Sequence, residues 1–289
     1  MSDIILYTLQ GLAAGSFYAL AALGLAVIFG MLGVVNFAHG ACYMLGAVGS
    51  AVLLDTAGMH FWVALIVVPL LLFVFGVVIE RLFVRWLLQL DVLYNFLLTF
   101  GIALVLVDLV KLRYGVSGLP YEHPTGLGGW FQIGSMDLPV YQVFVLVFSL
   151  AICVVVWLLL SRTRVGMIVR AATEDSERTR ALGINVGRWV TPVFGFGIGL
   201  AGLAGVLASP SRAITADMGS DFIIVLFAVI VIGGLGSIFG AVVAGFLGGL
   251  VEAYGQAYAP AFSQIAIFVL MAVVVLARPA GLFGRQEAA

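Results

Sequence analysis

The stretch VIFGMLGVVNFAHGACYMLGAVGSAVLL, Val27–Leu54, is apolar almost throughout, yet Asn36, His39 and Gly40 interrupt it. The apolar run that contains it begins at Ile4, and residues 4–54 as one helix would measure about 75 Å. Since the hydrocarbon core of a bilayer is only about 30 Å thick, the run must turn or break. The break is predicted at these three residues, because Asn36 can accept a backbone N–H bond from the helix that follows and Gly40 lets backbones approach closely.

The composition places the chain in a membrane. Hydrophobic residues make up 63% of the sequence and charged residues 9%, whereas soluble domains carry about 25% charged residues. Apolar runs of helical length, rather than alternating residues, predict helices and argue against an outer-membrane barrel. The net charge of −1 offers no basic field for nucleic acid, so the expected surroundings are membrane lipid and protein partners.

The predicted fold is all-α: a polytopic transmembrane helical bundle of about 8–9 membrane segments, including broken or re-entrant helices, in a single transmembrane domain over residues 1–289. Three segments are short or glycine-broken, so that eight and nine crossings both remain open. The apolar segments are 5–31, 36–54, 61–80, 93–110, 140–160, 189–208, 221–236, 238–257 and 262–277.

Arginine clusters predict which side each loop faces. Positively charged loops remain in the cytoplasm, and alternation of the segments brings three clusters to one side. These clusters are Arg81 with Arg85, the six arginines of residues 162–188, and Arg278 with Arg285. The C-terminus is then inside, and the N-terminus is outside for nine crossings or inside for eight. Residues 111–139, rich in glycine and proline, are predicted as a periplasmic loop with a small hairpin.

Glycine spacing predicts close helix crossings. Gly195 with Gly199, and Gly245 with Gly249, are each four residues apart in apolar segments. Small residues at this spacing let helices cross at short distance. Tight packing of the helices is sufficient to explain this glycine spacing. The spacing is also compatible with helices that slide past one another as a pathway through the membrane opens.

Residues 161–188 form the one large polar element at the predicted inner side. Apolar residues recur there at helical spacing, and acids at 174–177 interrupt them. Two short helices with an acidic joint are therefore predicted, the second ending at Gly183. A loop that only sets orientation needs less structure, and an amphipathic helix of this kind suits docking into a groove on a soluble partner.

Catalytic and metal-binding patterns do not stand out. The sequence shows no phosphate-binding loop with its lysine, and no His or Cys pairing with metal-ligand spacing. Asp108 is expected to pair with Lys111, whereas Glu252 has no obvious partner. Because ion-coupled carriers need buried ionisable groups, their scarcity indicates an energy source in another subunit. A stand-alone carrier or channel, and an intramembrane enzyme, remain the alternatives.

The sequence motifs, in order along nearly the whole chain, resemble the LivH-type permease of branched-chain amino acid ABC importers. The first block contains NFAHG unchanged, and the block with GMIVRAATEDSERTRALGINV is similar to the family's cytoplasmic loop. The similar blocks are 11–47, 80–88, 166–186, 199–210, 231–252 and 278–285.

The resemblance implies a binding-protein-dependent importer of the bacterial inner (plasma) membrane. It implies three kinds of partner: a second related permease, two cytoplasmic ATPase subunits that bind ATP-Mg, and a periplasmic substrate-binding protein. It also implies that this chain holds no cofactor or metal and is not itself an enzyme. Expected substrates are branched-chain amino acids, with other amino acids, urea or short amides as the alternative.

The resemblance also assigns residues to two roles. Residues 161–188 would be the coupling loop, with the ATPase contact at Arg170, Ala171, Glu174, Asp175 and Gly183. Helix breaks near the translocation pathway would lie at Asn36, His39, Gly40, Gly233, Gly236 and Gly240.

Overall fold

The computed structural model describes residues 2–87, 90–121, 124, 126–133 and 136–284. It is an all-α bundle with one β-hairpin, which confirms the predicted fold class. A π-helical turn, Glu80–Val84, joins the third helix to the fourth, and a 3₁₀ turn, Pro260–Phe262, precedes the last. The elements in chain order are α1 (Ser2–Leu32), α2 (Ala38–Ala57), α3 (Phe61–Ile79), α4 (Arg85–Leu87), α5 (Val92–Tyr114), β1 (Trp130–Ile133), β2 (Met136–Pro139), α6 (Val140–Arg162), α7 (Arg164–Glu174), α8 (Ser176–Ala181), α9 (Val186–Ala208), α10 (Met218–Gly233), α11 (Ile238–Tyr258) and α12 (Ser263–Ala277).

Each of the nine apolar segments appears as a helix. Six helical spans of the described chain are long and apolar enough to cross a membrane, and α10 and most of α12 are shorter apolar helices. The chain is a multi-pass membrane protein. The six spans are Asp3–Leu32, Phe61–Leu87, Val92–Tyr114, Val140–Arg162, Val186–Ala208 and Ile238–Tyr258.

Helices α1 and α9 form the centre of the bundle. In the most apolar 18-residue window of each, 83% of α1 and 89% of α9 is buried, against 17% in α5. A helix that is apolar on every side is stable when neighbours surround it. Helix α5 therefore lies at the periphery of the bundle.

Glycines allow the central helices to touch, as their spacing predicts. A Cβ at Gly195 would lie 2.8 Å from the carbonyl oxygen of Phe73, and one at Gly199 would lie 3.2 Å from that of Pro69. These contacts join α9 to α3. At the crossing of α11 with α1, Gly245 packs against Ala19 and Gly249 packs against the backbone of Gly15.

Contacts between the helices distinguish the two ends of the bundle. At the end that carries α7 and α8, here called the arginine-rich end, Thr173 packs on Gly30 near the end of α1. Gly236, in the turn between α10 and α11, has Gly30 within 3.8 Å of its Cβ position. At the opposite end, Thr8 of α1 hydrogen-bonds Tyr254 of α11 with a 2.8 Å oxygen–oxygen distance.

The start of α1 and the tail after α12 lie at different ends of the bundle. The backbone N–H groups of Leu282 and Phe283 donate to the carbonyl oxygens of Ile232 and Gly233, at 2.8 and 3.0 Å, so the C-terminal tail lies at the arginine-rich end. The first turns of α1 lie at the opposite end, beside α11. An odd number of passes is required, which favours nine over eight.

The break between α1 and α2 lies inside the bundle. Gly33 has φ +67°, and the side-chain oxygen of Asn36 accepts the N–H of Ala38 at 3.1 Å, which confirms the predicted cap. His39 lies 3.0 Å from the carbonyl oxygen of Ala21 through its Nε2. Helix α2 thus starts beside the middle of α1, and the intervening residues return into the protein.

The polar segment after α5 contains the predicted hairpin. Strands β1 and β2 pair antiparallel, with Trp130 opposite Pro139. The predicted pairing of Lys111 with Asp108 is wrong in its partner: the Lys111 ammonium lies 2.7 Å from Asp217, which precedes α10. Tertiary folding brings this carboxylate nearer than the one on the lysine's own helix, and Asp108 acts on Lys111 only through its charge.

Candidate functional site

Helices α7 and α8 form a bent helical unit at the arginine-rich end, as predicted. Thr163 begins α7 by accepting the N–H of Gly166 at 3.1 Å. Asp175 ends α7 and begins α8, and its Oδ1 accepts the N–H of Arg178 at 2.9 Å. Its Oδ2 also lies 2.8 Å from the Arg178 guanidinium. The single aspartate therefore sets the angle between the two helices.

One face of this unit is buried and the other is open. Val169, Ala172 and Thr179 are buried against the bundle. Leu182 is 80% exposed and Met167 is 56% exposed. Apolar side chains ringed by charge at the end of a protein are typical of an interaction surface.

The structure places the five predicted ATPase-contact residues on this unit. Arg170, Glu174 and Gly183 are exposed, and Ala171 and Asp175 are partly exposed. Gly183 has φ +83° and follows α8 by two residues, which ends the helix as predicted. The structure thus brings these positions together, and their role in binding an ATPase stays a prediction.

A cavity of about 760 Å³ lies between α1, α2, α10, α11, α12 and the segment before α10. This volume falls within the range of small-molecule sites, about 300–1,000 Å³. One part of the lining is polar and the other is apolar. The polar lining residues are Tyr18, Tyr43, Arg212, Thr215, Asp221, Glu252, Gln256 and Ser263, and the apolar ones are Ala213, Met218, Phe222, Ile224, Val225, Ile267 and Phe268.

An aromatic stack lies along the cavity wall. Phe222 of α10 stacks on Tyr43 of α2 with ring centroids 3.8 Å apart, and on Tyr18 of α1 with centroids 5.5 Å apart. Tyr43 is one helical turn beyond His39, so the stack stands next to the helix break. Three separate elements thus meet where the cavity adjoins the break.

Arg212 and Glu252 are the charged pair of the cavity. Their nearest side-chain atoms, Nη2 and Oε1, lie 3.6 Å apart. The Tyr18 hydroxyl donates to Glu252 Oε2 at 2.6 Å, and the guanidinium lies 5.6 Å from the Tyr18 ring centroid. Burial lowers the pKa of Arg212, but Tyr18, Tyr43 and Glu252 more than offset this, so its pKa is raised and it stays charged.

This pair was missed from the sequence. Glu252 has no oppositely charged residue within one helical turn, and Arg212 lies 40 residues earlier, in the segment before α10. The signal was present nonetheless: an acid inside an apolar segment without a local partner predicts a distant one. The structure supplies that partner in Arg212.

The six predicted pathway residues lie at or beside the two helix breaks rather than in the cavity lining. Asn36 and Gly236 lie between helices, whereas His39 and Gly40 are in the first turn of α2, Gly233 ends α10 and Gly240 is in the first turn of α11. His39 and Asn36 are buried, and Gly233 and Gly240 pack directly on each other across the second break, with Gly236 in its turn and Gly40 against Gly219 of α10. The chain does break near both sets of residues, at 33–37 and at 234–237, although four of the six residues belong to the adjoining helices. Whether substrate passes these residues stays a prediction.

Within the described part of the chain, no group of three or more His, Cys, Asp or Glu side chains has the arrangement of a metal site. Cys42 and Cys153 are free thiols in the interior. They pack as small apolar residues, in line with their apolar sequence context.

Comparison with known proteins identifies the family. The model of the family described as "Branched-chain amino acid transport system / permease component" matches residues 7–277. The high-affinity branched-chain amino acid transport system permease protein BraD of Pseudomonas aeruginosa is 31% identical over 309 residues, covering 99% of both chains. The high-affinity branched-chain amino acid transport system permease protein LivH of Escherichia coli is 28% identical over 306 residues, also covering 99% of both chains.

A relative of a second kind is more distant. The LivM permease protein of Escherichia coli, also of a high-affinity branched-chain amino acid transport system, is 25% identical over 294 residues, covering 92% of this chain and 67% of LivM. The family model spans all but the start of the helical bundle. The chain belongs to the permease components of branched-chain amino acid transport systems.

Proposed function

We propose that this chain is a transmembrane permease subunit of an ABC importer that carries branched-chain amino acids across the bacterial inner membrane. The single observation that supports this most directly is the cavity, which combines an Arg212–Glu252 pair with apolar walls in a chain of this family. An amino acid has two opposite charges and, in this class, an aliphatic side chain. The lining offers surfaces for both.

Energy would come from two ATPase subunits that bind ATP-Mg at the arginine-rich end, which the positive-inside rule places in the cytoplasm. The exposed side of α7 and α8 offers Leu182 and Met167 among charged residues. Its buried side contacts α1 through Thr173 and Gly30. Movement of a docked ATPase would therefore reach the central helix directly, while this chain itself carries out no hydrolysis.

A second related permease and a periplasmic binding protein would complete the importer. The similarity to relatives named both LivH and LivM supports pairing of two kinds of permease. The cavity lies toward the opposite end, since its lining residue Glu252 is two residues from Tyr254, and a binding protein would deliver substrate there. Residues 161–188 would be the coupling loop of one permease domain.

Reconstitution tests the proposed function. The complete complex in liposomes, with ATP supplied to the face that carries α7 and α8, is expected to take up radiolabelled leucine, isoleucine or valine. Uptake that persists without any ATPase subunit would favour a stand-alone carrier and contradict the proposal. Uptake of urea, short amides or other amino acids in place of the branched-chain ones would correct the substrate.

The docking surface has its own test. The double variant Glu174→Arg with Asp175→Arg reverses two charges at the joint and removes the cap of α8, so it is expected to abolish co-purification of the ATPase subunits. Asp55→Arg is the matched control, because Asp55 is an exposed carboxylate at the opposite end of the bundle. A double variant that assembles and transports like the unaltered protein would refute docking at α7 and α8.

A further inference from the structure

We infer that Arg212 and Glu252 form a subsite that binds the two charged groups of an amino acid during transport. The substrate carboxylate accepts from the Arg212 guanidinium, and the substrate ammonium donates to Glu252. The inference rests on the proposed function and deepens it by naming the two residues that bind the carboxylate and the ammonium of the substrate.

The spacing of the pair fits a zwitterion. In an α-amino acid the carboxylate and ammonium are attached to one carbon, so the charges that receive them must also be adjacent. The guanidinium and carboxylate are 3.6 Å apart, which is longer than a strong charge-assisted hydrogen bond. Both side chains keep access to the cavity, since 33% of Arg212 and 25% of Glu252 is exposed.

Neighbouring groups hold the two charges in place. The Tyr18 hydroxyl fixes one oxygen of Glu252 at 2.6 Å, and Gln256 donates to the other at 3.4 Å. The aromatic rings of Phe17 and Tyr18 lie 5.7 and 5.6 Å from the guanidinium carbon of Arg212. Preorganised charges bind a ligand without first ordering flexible side chains.

A second observation points independently to a ligand. The hydroxyl of Tyr43 is buried and has no hydrogen-bond partner in the described residues, although Tyr43 lines the cavity. An unpartnered buried hydroxyl is unfavourable unless another molecule satisfies it. A polar ligand group in the cavity would supply that partner.

The remaining lining suits an aliphatic side chain. Val225 of α10 and Ile267 and Phe268 of α12 line the same cavity as the charged pair. Apolar walls beside a few convergent polar groups are typical of sites that bind small ligands. The ligand class is therefore an amino acid with an uncharged, apolar side chain.

A second ion pair, outside the cavity, has a different geometry. Lys111 and Asp217 lie 2.7 Å apart, in direct contact, and neither lines the cavity. A second cavity of about 520 Å³ shares Arg212 and Glu252 with the first. The looser pair thus lines both cavities, whereas the tighter pair lines neither.

Protection of a thiol from labelling tests the inference without the binding protein. Thr215 lines the cavity, and Thr215→Cys in the assembled membrane complex is expected to react with a water-soluble thiol reagent more slowly when leucine is present. Ser220→Cys, an exposed position in the first turn of α10 outside the cavity lining, is expected to show no protection. The natural cysteines are buried and give little background.

Two charge-deficient analogues supply the decisive comparison. Leucine amide lacks the carboxylate and 4-methylpentanoate lacks the ammonium, and each is expected to need a concentration about tenfold or more above that of leucine for half-protection. In Glu252→Gln, which keeps the size of the side chain, leucine is expected to lose its advantage over 4-methylpentanoate. In Arg212→Gln it is expected to lose its advantage over leucine amide.

Lys111→Gln with Asp217→Asn is the control pair and is expected to leave both comparisons unchanged. In Thr215→Cys protein that retains Arg212 and Glu252, equal protection of the thiol by leucine and by both analogues would overturn the inference. This measurement does not depend on whether a variant at residue 212 or 252 folds. Unchanged selectivity in Glu252→Gln and Arg212→Gln would also overturn it. Failure of the proposed function is a different result: the complete importer would take up no branched-chain amino acid.

Discussion

At the scale of single residues, the crossings of the central helices depend on the absence of side chains. A Cβ at Gly205 of α9 would meet the carbonyl oxygen of Tyr43 and would lie 2.9 Å from the backbone nitrogen of Ala47. Backbone atoms cannot rotate away as the end of a side chain can. The position therefore admits only glycine without displacement of α2.

Gly205→Ala is expected to lower stability by about 1–3 kcal/mol through overpacking, measured as a lower thermal midpoint of the purified protein in detergent. Gly101→Ala is the matched control, since nothing lies within 4 Å of a Cβ there and alanine favours helix by about 1 kcal/mol. Equal midpoints for Gly205→Ala and the unaltered protein would show that α2 and α9 do not meet as described.

Residue partners were the least predictable feature of the site. The bond from Tyr18 to Glu252 joins positions 234 apart in the chain, and Lys111 pairs with Asp217 rather than with Asp108 in its own helix. Spacing rules describe neighbours within one helix. A contact between helices depends on how they cross, which these rules do not contain.

At the scale of elements, the joint between α7 and α8 depends on Asp175. Helix α8 has 6 residues and is too short to be stable alone. The cap on Arg178 N–H and the contacts of α8 with the bundle must hold it. The predicted acidic joint was identifiable because capping is a local interaction whose residue types are specific.

Asp175→Ala is expected to destabilise α8 by about 1 kcal/mol, because it removes the cap. Amide hydrogen exchange in residues 176–182 should then be faster by about fivefold. Asp175→Asn keeps a capping oxygen and is expected to exchange at nearly the original rate. Faster exchange in both variants would mean that charge pairing with Arg178, rather than the cap, holds the joint.

At the scale of the whole molecule, the start of α1 and the C-terminal tail lie at different ends of the bundle. The arginine clusters alone were compatible with eight or nine crossings. Contacts of Thr8 with Tyr254, and of Leu282 and Phe283 with the end of α10, place the termini apart. The orientation of every loop follows once α7 and α8 are assigned to the cytoplasm.

Cysteines introduced at the two ends are expected to label from opposite sides of a sealed membrane. Asp3→Cys should react with an impermeant thiol reagent added outside the cell, and Glu177→Cys should react only in inside-out vesicles. Both sites lie far from the buried natural thiols, Cys42 and Cys153. Labelling of both from the same side would contradict the nine-pass arrangement.

The amino-acid sequence was sufficient for features that arise from local physics. Hydrophobic segments of helical length, arginine-rich loops, the cap at Asn36 and the two short helices around Asp175 each depend on residues close together in the chain. Transfer of apolar segments into lipid and the satisfaction of helix ends act at that range. All of these were predicted and found.

The cavity required the folded bundle. Tyr18, Tyr43, Arg212, Phe222 and Glu252 come from α1, α2, the segment before α10, α10 and α11, and no pattern in the sequence links them. Glycine-mediated crossings set the distances between these helices, and burial makes the distant partners of Glu252 favourable. Packing between helices, which has no fixed spacing along the chain, therefore determined where the cavity lies.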